Sequence, residues 1–101
     1  MAYSIEYREM AIEQLAELST YQQRIVLDEI DEQTTHRPAQ TARHKKTLED
    51  FQPDWWDIPL PVWQLRVGDF RVLYGVNETA KLVTIMCVFY KGGMTTGEAI
   101  P

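Results

Sequence analysis

The sequence has few of the residues on which disulfide-stabilised and metal-binding proteins depend. Among its 101 residues there are one cysteine and two histidines. A single thiol cannot form an internal disulfide, and it suits a reducing compartment such as the cytoplasm. The two histidines are too far apart, with too few further ligands near them, to indicate a metal site. Glycine-rich phosphate loops and nucleophile elbows are also missing, so no cofactor is expected.

Long apolar runs are lacking as well. None approaches the roughly 20 residues that a membrane helix needs, and residues 1–6 have neither the basic start nor the apolar stretch of a signal peptide. We therefore expect a cytoplasmic protein without membrane contact. Acidic residues outnumber basic residues by 15 to 10, which gives a net charge of -5. Because the overall field is negative, any contact with nucleic acid has to come from a local basic patch.

The length and composition are those of one globular domain, residues 1–101, with 45% hydrophobic and 25% charged residues. Near the start, Tyr3, Ile5 and Tyr7 alternate with polar residues, which predicts a half-buried strand. From about Glu9 the apolar spacing becomes helical. The residues expected on the buried side of this first helix are Ala11, Ile12, Leu15 and Leu18.

A second helix is expected to begin at a capping box formed by Thr20 and Gln23, in which each side chain bonds the free backbone N–H group of the other residue. The helix runs to about Thr34. Its buried residues are expected to be Val26, Leu27 and Ile30. Because the connection between the two helices is short, they should pack as an antiparallel hairpin.

Residues 35–61 are expected to form a long loop, because four prolines in this stretch disfavour a long regular element. Basic residues come first, in the cluster Arg43-His44-Lys45-Lys46, and acidic residues follow. Trp55-Trp56, amid the acids, favours a hydrophobic flap against a sheet over a platform for stacking bases. The tail, from about residue 92 to 101, has little to pack and is expected to fray or to form a weak edge.

The segment from residue 62 to 76 predicts two strands, since apolar residues alternate with others on both sides of a two-residue turn at Gly68-Asp69. The residues on the core face are then Trp63, Leu65, Val67, Phe70, Val72 and Tyr74. A further strand follows at residues 82–90, where the nearly continuous apolar run is typical of a strand covered on both faces. The predicted fold class is α+β, with an N-terminal strand and a two-helix hairpin packed on a mainly antiparallel sheet of about four strands.

The same register places Arg66 directly opposite Arg71 on the other face of the hairpin. Like charges opposed across a ladder destabilise a sheet by a few tenths to about 1 kcal/mol. Either an internal carboxylate or an anionic ligand, such as a phosphate backbone, relieves this repulsion. Lys91, at the end of the neighbouring strand, reaches the same face. The cluster of residues 43–46 is either a solvated loop or a phosphate-contacting rim beside this face.

The contiguous sequence from Trp63 to Tyr74, WQLRVGDFRVLY, resembles the signature hairpin of the RelE/ParE superfamily, the toxins of type II toxin–antitoxin pairs. The segment RHKKTL at residues 43–48 is similar to the basic loop that precedes the hairpin in that family. The segment CVFYK at residues 87–91 resembles the end of the family's last strand. Together with the N-terminal strand and helix pair, the resemblance covers roughly residues 3–91, and it implies a RelE-like fold.

The resemblance implies a toxin that enters the ribosomal A site and cleaves messenger RNA. By position, Arg71 matches the arginine that stabilises the transition-state phosphate, and Lys91 matches a basic residue that is commonly arginine. With Arg66 these form the predicted catalytic set, and the predicted RNA-binding residues are Arg43, His44, Lys45 and Lys46. Two family positions differ: a lysine is replaced by Gln64, and a C-terminal tyrosine falls where this chain has two threonines, at residues 95–96. His44 is a weak substitute for the missing acid–base groups.

The resemblance also implies a cognate antitoxin as partner, with operator DNA reached only through the antitoxin. Two alternatives to ribosome-dependent mRNA cleavage stay open. The first is a ParE-like inhibitor of DNA gyrase, which needs no RNA-cleaving residues and is favoured by the missing tyrosine. The second is a non-catalytic module that keeps only its antitoxin-binding role.

Overall fold

The computed structural model describes residues 2–92, which form a five-stranded sheet and two helices. The elements in chain order are β1 Ser4–Tyr7, α1 Glu9–Ala16, α2 Thr20–Thr34, β2 Lys45–Leu48, β3 Val62–Val67, β4 Phe70–Asn77 and β5 Leu82–Tyr90. The strand order is β1-β5-β4-β3-β2, with β1 parallel to β5 and the other pairs antiparallel. The predicted α+β fold is therefore confirmed. From residue 93 onward, the predicted weak tail lies outside the described residues.

The helices pack on the sheet through fewer residues than the spacing predicts. Ala11 and Leu15 of α1, with Val26 and Ile30 of α2, are buried in the main core. Ile12 was expected to be buried, but 54% of it is exposed, because it lines an open groove between the helices. Leu27 and Leu18 are half-buried and pack at the margin of the core. Neither helix in the described part of the chain is long and apolar enough to cross a membrane.

The capping box of α2 lies one residue earlier than predicted. Ser19 is the N-cap, and its hydroxyl accepts a hydrogen bond from the Gln22 backbone N–H at 3.1 Å. In return, the Ser19 backbone N–H donates to the Gln22 side chain at 3.2 Å. Thr20, which was predicted to be the cap, is the first helical residue instead. The pairs Ser19/Gln22 and Thr20/Gln23 both have the required spacing, so the sequence pattern does not decide between them.

The predicted loop at residues 35–61 contains a strand. β2 pairs antiparallel with β3, which gives the sheet five strands where about four were expected. Its four residues show no apolar alternation, so the pairing is not visible in the sequence. It satisfies the backbone groups along the otherwise unpaired side of β3. The pairing continues one step further, where the Arg66 backbone N–H donates to the His44 carbonyl at 2.8 Å.

The β3–β4 hairpin has the predicted register, with Trp63 opposite Tyr74 and Arg66 opposite Arg71. Gly68 opens the turn at a φ of 58°, a conformation that glycine adopts without steric cost. The predicted core-face residues all join the main core, with Phe70 half-buried at its margin. β5 is buried along nearly its whole length, as its apolar sequence predicts.

Residues 49–61, which connect β2 to β3, cover part of the other sheet face, and we call them the flap. Phe51, Trp55 and Trp56 of the flap pack against a second core. The buried residues of this core are Val62, Leu73, Cys87 and Phe89. The predicted hydrophobic flap is therefore confirmed. The flap leaves the hairpin-turn end of the face open, because none of its residues lines the cavity that lies there.

Candidate anion-binding site

An open cavity of about 280 Å³ lies at the turn end of the β3–β4 hairpin. The residues that line it are Ala42, Arg43, His44, Lys45, Lys46, Gln64, Arg66, Arg71 and Lys91. All seven residues singled out in the sequence thus lie around one space, although they come from four separate segments. Two-residue alternation explains the convergence, because Lys46 opposes Gln64 and Arg66 opposes Arg71 in the ladder. No acidic residue appears among those lining the cavity.

The Arg71 guanidinium is buried and bonded to the turn. Its Nη1 group donates to the carbonyls of Gly68 at 2.8 Å and Phe70 at 2.9 Å. Its Nε is buried and has no hydrogen-bond partner among the described residues. Burial lowers the pKa of Arg71, the charge of Arg66 lowers it further, and the charge of Asp69 acts in the opposite direction. A desolvated cation with an unsatisfied donor is stabilised by an anion that enters the cavity.

Arg66 is exposed and contacts His44 rather than an acid. Its Nη2 group lies 3.1 Å from Nδ1 of the imidazole. Among the described residues the ion pair found joins Arg8 to Asp57, and neither arginine of the hairpin takes part in it. No ion pair therefore joins either arginine of the hairpin to a carboxylate of the described residues, and the internal carboxylate that acts on the pair, Asp69, offsets the charge of Arg71 only in part.

Lys45 differs from the other basic residues around the cavity. Only 4% of it is exposed, and its ammonium donates to the carbonyls of Gln33 at 2.8 Å and Arg37 at 2.7 Å. Burial, followed by the charge of Arg37, lowers the pKa of Lys45. Its ammonium therefore satisfies backbone groups at the end of α2 and is not available to a ligand. The sequence grouped Lys45 with Lys46, but the alternation of β2 directs the two side chains to opposite faces.

Lys91 and Tyr90 lie on opposite faces of the sheet, because consecutive side chains of an extended segment point in opposite directions. The Lys91 backbone N–H donates to the Asp69 carbonyl at 2.8 Å, which fixes the residue beside the hairpin turn and the cavity. Tyr90 opposes Phe70, and the two rings make an edge contact with centroids 5.8 Å apart. Because Phe70 belongs to the main-core side, Tyr90 lies on the opposite face from Arg71. Tyr90 therefore does not take the place of the C-terminal tyrosine that the resemblance implies and this chain lacks.

The donors around the cavity suit an anion rather than a metal ion. Guanidinium and ammonium groups carry no lone pair for a cation. Among residues 2–92, no group of three histidine, cysteine or acidic side chains is placed to hold a metal. Gln64 lines the cavity too. In the sequence it stood out only because it replaces a lysine of the RelE/ParE pattern. Its alternation with Arg66 was the signal that places it on this face.

No family model matches the sequence, and no curated protein matches it. Solved structures do. A chain of the toxin–antitoxin complex RelBE2 from Mycobacterium tuberculosis superposes with a TM-score of 0.69 at 20% identity, over 89% of this chain and 99% of that one. A chain of the archaeal RelE–RelB complex from Pyrococcus horikoshii gives 0.67 at 24% identity, over 92% and 99%. The chain has the RelE fold. The likeness inferred from the hairpin sequence is thus confirmed in three dimensions, and the cavity is a feature of a RelE-fold domain.

Proposed function

We propose that this RelE-fold chain is the toxin of a type II toxin–antitoxin pair and that it inhibits translation by ribosome-dependent cleavage of mRNA. The observation that carries the proposal is the cavity, where five cationic side chains converge, none of which forms an ion pair with a carboxylate of the described residues. They are Arg43, Lys46, Arg66, Arg71 and Lys91. A polyanion with closely spaced phosphates matches this arrangement, and mRNA is the polyanion on which RelE-type toxins act.

The burial of each cationic side chain around the cavity indicates its role in cleavage. Cleavage by the ribose 2′-hydroxyl forms a bond from O2′ to phosphorus and breaks the bond to O5′, and negative charge accumulates on the phosphate oxygens. Arg71, which is desolvated and held by the turn, is suited to stabilise that charge. Arg66 and Lys91 flank it, while exposed Arg43 and Lys46 position the neighbouring phosphates. Lys45 is withdrawn from the predicted RNA-binding set because its ammonium is bonded to two backbone carbonyls.

The acidic net charge is compatible with this site because the charges are segregated. Six acidic residues and one basic residue lie in the two helices. The acids are Glu9, Glu13, Asp28, Glu29, Asp31 and Glu32, and the base is Arg24. The cavity lies at the turn end of the hairpin and has no acid in its lining. At physiological salt, charges separated by more than about 8 Å are largely screened from each other.

We propose that the antitoxin covers the groove between the helices. This groove has a volume of about 390 Å³ and is lined by Tyr7, Ile12, Leu15, Ala16, Gln23 and Leu27. The Ile12 side chain adds exposed apolar surface to this groove, which is the kind of surface that an amphipathic segment of a partner covers. Ile12→Glu should abolish binding of the cognate antitoxin and leave toxicity intact.

Induced expression and a toeprint assay test the toxin proposal. The wild-type chain should arrest growth, and ribosomes incubated with it should show mRNA cut in the A site. Arg71→Ala should remove both effects and leave a folded domain, whereas Arg24→Ala, which removes an exposed cation of α2, should change neither. Loss of DNA supercoiling with intact mRNA would instead indicate gyrase inhibition. Antitoxin binding without growth arrest would indicate a non-catalytic module.

A further inference from the structure

His44 differs in kind from the other polar side chains around the cavity. Imidazole changes its charge near neutral pH and moves protons in either direction, which guanidinium groups and fully charged ammonium groups do not do there. The charged groups around the same cavity are Arg43, Lys45 and Lys46 near it in the chain, Arg66 of β3, Arg71 of β4 and Lys91 after β5. All six are cations. An imidazole accepts a proton in its neutral form.

The contact with Arg66 fixes the tautomer of this imidazole. A guanidinium has five donors and no acceptor, so the hydrogen bond of 3.1 Å runs from Arg66 Nη2 to His44 Nδ1. Nδ1 therefore carries a lone pair, and the single ring proton lies on Nε2. The backbone holds the pair together as well, because the Arg66 N–H donates to the His44 carbonyl at 2.8 Å. The ring is thus kept beside Arg66 by two bonds from one residue.

This hydrogen bond and a protonated Nδ1 exclude each other. While Arg66 donates to Nδ1, the ring cannot take a proton there. A phosphate that enters the cavity competes for the same guanidinium donors, since a charge-assisted bond to phosphate is stronger than a bond to a neutral imidazole. Engagement of Arg66 by the phosphate therefore releases the Nδ1 lone pair at the moment when substrate is present.

We propose that His44 is the general base of the cavity and that Arg66 is the positioning residue that holds its Nδ1 ready. The inference rests on the proposed mRNA cleavage. The proton of the ribose 2′-hydroxyl passes to Nδ1 of His44 while the O2′–phosphorus bond forms and the phosphorus–O5′ bond breaks. The departing O5′ takes a proton from water, and the hydroxide left behind is neutralised by the proton that His44 then releases. The products are a 2′,3′-cyclic phosphate and a 5′-hydroxyl end.

The test is single-turnover cleavage of ribosome-bound mRNA by the purified chain, measured from about pH 5.5 to about pH 8.5. The wild-type rate should rise with pH and then level off, as a base loses its proton. His44→Gln keeps an oxygen that accepts from Arg66 but cannot titrate. It should lower the rate roughly 100-fold or more and remove the pH-dependent rise. His44→Ala should be equally slow and should regain activity when imidazole is added.

Arg66→Met provides the test of positioning. Without the Arg66 donor, the tautomer and orientation of the imidazole are no longer fixed, so the plateau rate should fall while the pH-dependent rise remains. A 2′-deoxynucleotide at the cleaved position should stop the reaction in every variant, because the attacking group is missing. Affinity for inorganic phosphate, measured by the shift in melting temperature, should differ less than threefold between wild type and His44→Gln.

Each outcome separates the inference from the function on which it rests. If wild-type chain leaves ribosome-bound mRNA intact, both proposals are wrong. If wild type cleaves and His44→Gln cleaves at the same rate with the same pH profile, His44 is not the base and the proposed function stands. If His44→Gln loses phosphate affinity in proportion to its rate, or if imidazole restores nothing to His44→Ala, His44 only contacts phosphate and the inference is overturned.

Discussion

Arg66 and Arg71 lie directly opposite each other across β3 and β4, and neither guanidinium forms an ion pair with a carboxylate of the described residues. Arg66 donates to the His44 ring, and Arg71 donates to carbonyls of its own turn. None of these partners carries a full negative charge. The charge of Asp69 offsets part of the repulsion between the two cations, and an anion that binds between them relieves the rest.

Inorganic phosphate should stabilise the domain through this pair. At a phosphate concentration ten times the dissociation constant, the free energy of unfolding should rise by about 1.4 kcal/mol, or several degrees in melting temperature. Without phosphate, Arg71→Gln should melt close to wild type, because the loss of hydrogen bonds and the relief of repulsion offset each other. With phosphate, it should lose most of the increase in melting temperature. The control variant Arg24→Gln should keep the full increase in melting temperature. Thermal unfolding in phosphate and chloride at equal ionic strength measures the effect; an equal shift in Arg71→Gln would exclude this site.

The structure of the hairpin that carries Arg66 and Arg71 could be predicted from the sequence residue by residue. The positions of the segments around the hairpin could not. Gly68-Asp69 and the two-residue alternation fix which side chains oppose each other. β2 has four residues and no apolar alternation, so its pairing depends on the free side of β3 rather than on its own sequence. For that reason the opposite directions of Lys45 and Lys46, and the contact between His44 and Arg66, became visible only in three dimensions.

Lys45 and Lys46 should respond in opposite ways to the same substitution. Lys45→Met leaves the partly buried carbonyls of Gln33 and Arg37 without their shared donor, which should cost about 1–3 kcal/mol of unfolding free energy. Lys46→Met removes an exposed charge and should change stability by less than about 0.5 kcal/mol. RNA affinity should fall only in Lys46→Met. Urea denaturation and a binding titration with single-stranded RNA measure both, and a destabilised Lys46→Met would contradict the assignment of faces.

At the start of α2, alanine substitutions of Ser19 and Thr20 should also have different effects on stability. Ser19→Ala removes the hydroxyl that caps the Gln22 backbone N–H and should destabilise the domain by about 1 kcal/mol. Thr20→Ala replaces a helical residue by a better helix former and should be neutral or slightly stabilising. Chemical denaturation of the two variants decides which residue is the N-cap. A larger loss in Thr20→Ala would return the cap to Thr20.

Gly75 and Ile58 should be coupled, because a Cβ added at Gly75 would collide with the Ile58 side chain of the flap. Gly75→Ala should cost about 1–3 kcal/mol, as overpacked positions do. The double variant with Ile58→Ala should be more stable than the sum of the two single losses predicts, since truncation of Ile58 makes room for the methyl group. A double-mutant cycle by urea denaturation measures this coupling. Strictly additive losses would show that the flap does not lie on Gly75.

Tyr74 should make the domain sensitive to alkaline pH. Its buried hydroxyl donates to the Pro38 carbonyl at 2.8 Å, and burial raises the pKa of Tyr74 above the ordinary 10.0. Burial, followed by the charge of Asp31, raises the pKa of Tyr7 to about 12. Above pH 10 the unfolded chain therefore loses protons that the folded chain keeps. The unfolding free energy should begin to fall near pH 9, because burial raises the pKa of the Cys87 thiol from 9.0 to about 12, and should fall more steeply above pH 10, by up to about 1.4 kcal/mol per pH unit for each such group.

Tyr74→Phe isolates the contribution of one hydroxyl. At neutral pH it should cost about 1 kcal/mol, because the Pro38 carbonyl loses its donor in a buried place. Above pH 10 its stability should fall less steeply than that of wild type, since one fewer group differs in protonation between the folded and unfolded chains. Tyr21→Phe, at a tyrosine that is 76% exposed, should match wild type at both pH values. Urea denaturation at about pH 9 and about pH 11 measures the difference, and equal slopes in wild type and Tyr74→Phe would mean that the Tyr74 phenol ionises as readily in the folded chain as in the unfolded one.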